Sequence, residues 1–134
     1  MFSPFKPPAS AYSNIHIETG VQGADAHQLV TMLLDGAIGA IGTAVNALEG
    51  GDIPGKCKAI AKAVAIVDEG LRAALNRQAG GELAATLDNL YACVLLRLTQ
   101  ANLHGDAALL RECSQLLAPV RDAWIAIKPQ RMAA

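Results

Sequence analysis

A chain of 134 residues, 52% hydrophobic and 17% charged, is long enough to bury one core and too apolar to remain disordered. Its 11 basic and 12 acidic side chains nearly cancel, to a net charge of -1, and no lysine or arginine cluster stands out, which argues against nucleic acid and anionic membrane as partners. The apolar residues are interrupted too evenly for a membrane span of about 20 residues, so a soluble single domain is expected.

The opening MFSPFKPPASAYSN carries one lysine and three prolines but no apolar run of signal-peptide length, which predicts a flexible arm over residues 1–23 and a cytoplasmic chain. Within that arm Tyr12, Ile15 and Ile17 form a short apolar cluster ahead of the Gly20–Gly23 linker. It reads either as a cover for an apolar groove or as a tail with incidental apolar residues.

Apolar spacings of three and four then predict four helices within a bundle over 24–128, followed by a tail over 129–134. The first runs over 25–49, with Asp25 as its cap and Gln28 closing a capping box, and Gly50-Gly51 ends it. Gly36, Gly39 and Gly42 recur within it; close helix packing is the favoured reading, with a flexible helix as the alternative. The second, over 54–78, puts Cys57, Ile60, Val64, Val67, Leu71 and Leu75 on one face. The third, over 82–103, aligns Leu83, Leu87, Leu90, Val94 and Leu98. The fourth, over 106–127, aligns Leu110, Cys113, Leu117, Val120, Trp124 and Ile127, with Pro119 predicted to bend it. Loops this short imply an all-α, antiparallel, up-down-up-down four-helix bundle.

The chemistry-bearing residues do not converge. Cys57, Cys93 and Cys113 are odd in number and never in a C-x-x-C pattern, so buried free thiols are expected in place of disulfides or zinc. None of His16, His27 and His104 follows a glutamate by three residues, as an inward-facing di-iron bundle would need. Asp35, set among apolar residues, reads as a hydrogen bond to a neighbouring helix; Asp68-Glu69 and Asp88-Asn89 read as solvated faces. No catalytic residue, metal or cofactor is expected.

What the pattern does contain is surplus apolar surface. A second stripe of Ala59, Ala63, Ile66, Gly70 and Ala73 runs beside the core face of the second helix, and Ala85, Ala92, Leu96 and Leu103 point away from the core line of the third. Alanine serves on helix surfaces for its propensity alone, but Ile66, Leu96 and Leu103 do not. Small residues flanked by large ones make a groove suited to an amphipathic helix, so a helix-binding module is expected, with a self-associating adaptor bundle as the alternative.

Ordered motifs support the first reading: Ala11-Tyr12, His27-Gln28-Leu29-Val30, Met32-Leu33-Leu34-Asp35-Gly36-Ala37, Gly51-Asp52, Ala61-Lys62-Ala63, Gly80-Gly81-Glu82-Leu83-Ala84, Asn89-Leu90-Tyr91, Arg97-Leu98, Gln100-Ala101-Asn102-Leu103 and Arg121-Asp122-Ala123-Trp124. In their order and spacing, over about residues 11–128, they resemble the FliS family of flagellar export chaperones. The resemblance implies a bundle that captures the carboxyl-terminal disordered segment of flagellin, prevents premature polymerisation and presents it to the flagellar type III export gate. It implies a client groove over Ala59, Ala63, Ile66, Gly70, Ala73, Ala85, Tyr91, Ala92, Leu95, Leu96 and Leu103, covered when empty by Tyr12, Ile15 and Ile17. An export-gate subunit and an anti-sigma factor are further partners the resemblance suggests, and homodimer formation stays open. Departures fall at Asp25-Ala26, where the family has serine-proline, and at Ala92, Cys93 and Leu96, where contacts should be more apolar than usual.

Overall fold

The computed structural model describes residues 22–78 and 80–127, without the side chains of 22–25 and 76–78. Four helices account for nearly all of them: α1 is Gln22–Glu49, α2 covers 53–78, α3 is Gly81–His104 and α4 is Ala107–Ile127. There is no strand among the described residues.

Each turn follows from its residues. After α1, the Gly50, Gly51 and Asp52 amides bond back to Asn46, Leu48 and Ala47 carbonyls, with Gly51 at φ 78°. Asp52 then caps α2, its Oδ1 accepting from the Gly55 amide at 3.0 Å, and Pro54 sits in the first turn where no amide donor is needed. Gly105, at φ 61°, closes α3 in the left-handed conformation, and Asp106 caps α4 through the Ala108 and Leu109 amides. The first helix departs from expectation: it starts at Gln22, so Asp25 lies inside its first turn and is not its cap.

Side-chain pairs fix the antiparallel arrangement. Along α1 and α4, Glu49 pairs with Arg111, Asp35 with Arg121, and His27 with Trp124. Between α2 and α3, Lys56 meets Asn102 while Arg72 meets Asp88; Arg97 ties α3 to Glu112 of α4. Asp35 is thus an exposed acid bonded to a neighbouring helix. Its bond to Arg121, helped by the carboxylate's charge, raises that guanidinium's pKa further.

The core runs through the centre of α1, where Leu33, Leu34, Ala37, Ile41 and Ala44 are buried against Ile60, Val67 and Leu71 of α2, Val94 and Leu98 of α3, and Leu110, Cys113 and Leu117 of α4. Each large aliphatic side chain there contributes about 1.5–3 kcal/mol by leaving water. The stretch Ala26–Glu49, with a mean hydropathy of 1.5, is long and apolar enough to cross a membrane, contrary to the even interruption expected from the sequence. Its place as the helix against which α2 and α4 both pack accounts for that apolarity.

Three core assignments shift. Leu83 is 65% exposed, and Tyr91 takes the inward position on α3. Cys57 is exposed and Cys93 half-buried, leaving Cys113 as the one buried thiol, its pKa pushed up to about 11 by desolvation. Ile127 lies at the exposed end of α4.

The second helix is interrupted. Between α-helical Ile53–Ala65 and Arg72–Gln78, residues Ile66–Leu71 form a π-helical turn, which inserts about one residue into the helical repeat. Gly70 lies in this turn against α1: a Cβ there would stand 2.9 Å from Leu33 Cδ2. Gly36 faces Ile66 in the same way, at 3.3 Å. Close packing therefore explains Gly36, whereas Gly39 and Gly42 are exposed with nothing within 4 Å of the added carbon.

Candidate functional site

Among the described residues, two clefts lie along the seam between α2 and α3. One half is a cleft of about 290 Å³ floored by Ile60, Ala61, Val64 and Ala65 of α2 and walled by Thr99 and Asn102 of α3. The other half is wider and more polar, about 590 Å³, and runs past Asp68, Arg72, Ala73, Ala84, Ala85 and Asp88. Asp68 belongs to both, so the seam is continuous along the two helices.

Polar side chains pin the seam at two levels. At its lower end the Lys56 ammonium, on a residue only 5% exposed, donates to the Asn102 carbonyl at 2.9 Å and to its Oδ1 at 3.0 Å. This satisfies a buried charge and a late α3 carbonyl together. Higher up, Arg72 grips Asp88 through Nε at 2.8 Å and Nη2 at 3.4 Å, with Asp68 one turn away at 3.5 Å. The Asp88 hydrogen bond, against a small opposing effect of burial, raises the guanidinium's pKa.

Leu96 and Leu103 stand on the exposed side of α3, at 59% and 77% exposure, with Ala85 and Ala92 also exposed and Leu95 half-buried. Two large apolar side chains left in water beside an apolar cleft are what a partner's helix would cover. Of the α3 residues expected in the groove, Ala85, Ala92, Leu96 and Leu103 are therefore open to solvent.

The α2 half is not. Ala59, Ala63 and Ile66 are 6%, 0% and 5% exposed, and Gly70 abuts Leu33, so these residues form the interface with α1. The reason is that α2 packs on two sides at once: its Ile60, Val67 and Leu71 join the common core while the adjacent small residues let α1 approach closely. The π turn adds a phase shift that a uniform 100° projection misses. Ala73 alone of that stripe lines the seam. Tyr91 is also withdrawn, 2% exposed and inside the bundle. The cleft is also lined by Ala61, Val64, Ala65, Thr99 and Asn102, outside the expected groove, and the α2 positions 61, 64–65 and 68 carry three-four spacing. Tyr12, Ile15 and Ile17 lie outside the described residues.

The seam is an open, partly apolar surface, and relatives give it a context. The family described as "Flagellar protein FliS" matches residues 8–131. The chain belongs to the FliS family. FliS of Salmonella typhimurium, named a flagellar secretion chaperone, is 42% identical over 120 residues, covering 90% of this chain and 89% of its own length. FliSB of Pseudomonas aeruginosa is 41% identical over 113 residues, 84% of this chain and 89% of its own; FliS of Escherichia coli is 37% identical over 114, at 85% and 84%. FliS proteins are secretion chaperones and not enzymes.

Proposed function

We propose that the chain is a cytoplasmic chaperone that holds the carboxyl-terminal segment of flagellin in the α2–α3 seam, keeps it from polymerising early and delivers it to the flagellar type III export apparatus. The observation that carries this reading is the pairing of an apolar cleft over Ile60, Val64 and Ala65 with exposed Leu96 and Leu103, in a chain of the FliS family. An amphipathic helix laid along the seam would cover both leucines and extend toward Ala73 and Ala85. The Tyr12, Ile15 and Ile17 arm would occupy part of the same surface in the empty protein.

The test is calorimetric titration of a flagellin carboxyl-terminal peptide into the full chain and into Leu96→Glu and Leu103→Glu. Saturable binding to the wild type, weakened at least tenfold in both variants, supports the reading, since a carboxylate buried unpaired under a docked helix is unfavourable. Undiminished binding by both variants refutes the site. The same exposed leucines also suit self-association, and sedimentation with and without peptide separates the two: a dimer that persists when peptide saturates the chain places the contact elsewhere.

A further inference from the structure

Where α1 and α3 begin and α2 and α4 finish, a cavity of about 90 Å³ opens between Leu71, Leu75, Ala84, Leu87, Tyr91 and Trp124. No charged side chain lines it among the described residues, so a charged guest would sit there unpaired. Two of its lining residues carry a polar side-chain group. The Trp124 indole N–H is engaged, donating to the His27 carbonyl at 2.9 Å. The Tyr91 hydroxyl is not: the residue is 2% exposed and no described residue makes a hydrogen bond to that hydroxyl. A buried phenol is unfavourable without a partner, and among the described residues this one is an unused donor beside an apolar chamber.

We propose that this cavity is a binding site for a neutral, ring-sized molecule bearing one hydrogen-bond acceptor, held by the Tyr91 hydroxyl. At about 90 Å³ the cavity is smaller than the apolar cavity of about 150 Å³ that takes benzene, but it opens to solvent beside exposed Leu83, so a single six-membered ring enters with one edge left outside. Burial pushes the Tyr91 phenol up to about 12, so it remains a donor at neutral pH. The cavity shares Leu75, Gly80 and Ala84 with the upper end of the seam.

The experiment uses two probes of one shape, cyclohexanone and methylenecyclohexane, the second lacking the acceptor. Each is titrated into the full chain and followed by heteronuclear magnetic resonance at the Trp124 indole N–H. The expected result is saturable shifts with both probes, cyclohexanone binding more tightly. In Tyr91→Phe cyclohexanone should weaken about tenfold, the effect of one neutral hydrogen bond, while methylenecyclohexane is unchanged. Ala84→Leu, which fills the chamber, should abolish both. No saturable shift in the wild type, equal cyclohexanone affinity in Tyr91→Phe, or undiminished binding in Ala84→Leu would each overturn the proposal. Should Ala84→Leu not fold, the two-probe comparison in Tyr91→Phe decides alone.

Discussion

The same substitution, glycine to alanine, should have opposite signs at two places in this bundle. In α1, Gly39 and Gly42 are exposed and an added Cβ meets nothing within 4 Å, so alanine brings only its helix propensity, about 1 kcal/mol in favour of folding at each site. In α2, the new carbon at Gly70 would stand 2.9 Å from Leu33 Cδ2 and 3.2 Å from Cδ1, well inside the 3.5–4.0 Å of favourable carbon contact. Leu33 is 2% exposed and walled by core neighbours, so it cannot swing away. Overpacking of this kind costs about 1–3 kcal/mol, which outweighs the propensity gain and leaves Gly70→Ala about 1 kcal/mol less stable than the parent. For a chain of this size that corresponds to a Tm lower by about 3–5 °C, against a rise of similar size for Gly39→Ala. Urea denaturation with thermal melts read by circular dichroism measures both. A Gly70→Ala protein as stable as the parent, or a Gly39→Ala protein less stable, would refute the assignment of Gly70 to a tight helix crossing and of Gly39 to open surface.

Leu117→Ala, fully buried, should cost about 2–5 kcal/mol in urea denaturation, whereas half-buried Leu90→Ala should cost less than about 2. Ile66→Glu should unfold the bundle and Leu96→Glu should leave the helical spectrum intact, because the first is 5% exposed and the second 59%. Stability should fall in alkali: burial raises Cys113 from about 9 to about 11 and Tyr91 from about 10 to about 12, so the folded state holds both protons more tightly than the unfolded chain. Their contribution is therefore whole below about pH 9 and lost as pH rises through 11 and 12, up to about 2–3 kcal/mol each, and Tyr91→Phe should flatten the upper part of the curve. Removing residues 1–18 should tighten peptide binding about tenfold if the arm covers the seam in about 90% of molecules, and equal affinity by calorimetry would show that it does not.

The helices and their turns were legible because they are written in local chemistry. Gly50-Gly51-Asp52 and His104-Gly105-Asp106 each combine a stop with a cap, and the turns fall there. The start of α1 was less legible, since Asp25 has a capping side chain but the helix continues back to Gln22. The site divided along a physical line. Leu96 and Leu103 were readable as surface because large apolar residues off the core line of α3 have no other place to go. Ala59, Ala63 and Ile66 were not readable as interior, because an alanine-rich stripe serves a close helix crossing and an open groove equally well. Only the partner helix, with Leu33 and Gly36 opposite, decides between them. The π turn at Ile66–Leu71 carries no periodic signature in sequence, and it displaces the expected face of the rest of α2.

His27 and Trp124 make a reciprocal clasp, each side chain bonded to the other's main-chain carbonyl at 2.7 and 2.9 Å with the rings stacked 5.2 Å apart, across a separation of 97 residues. In polymer terms this is one of the costliest contacts for an unfolded chain to make, since closing a loop of that length opposes it by about 4 kcal/mol of entropy. It gains its strength only once the α1–α2 and α3–α4 hairpins have shortened the path between its ends. Folding should therefore fasten it last, and opening should begin there. Amide exchange is expected to be coupled across the sequence: the first turns of α1 and the last turns of α4 should exchange at a common rate, well ahead of Leu33 or Leu117, as though the two termini were a single segment.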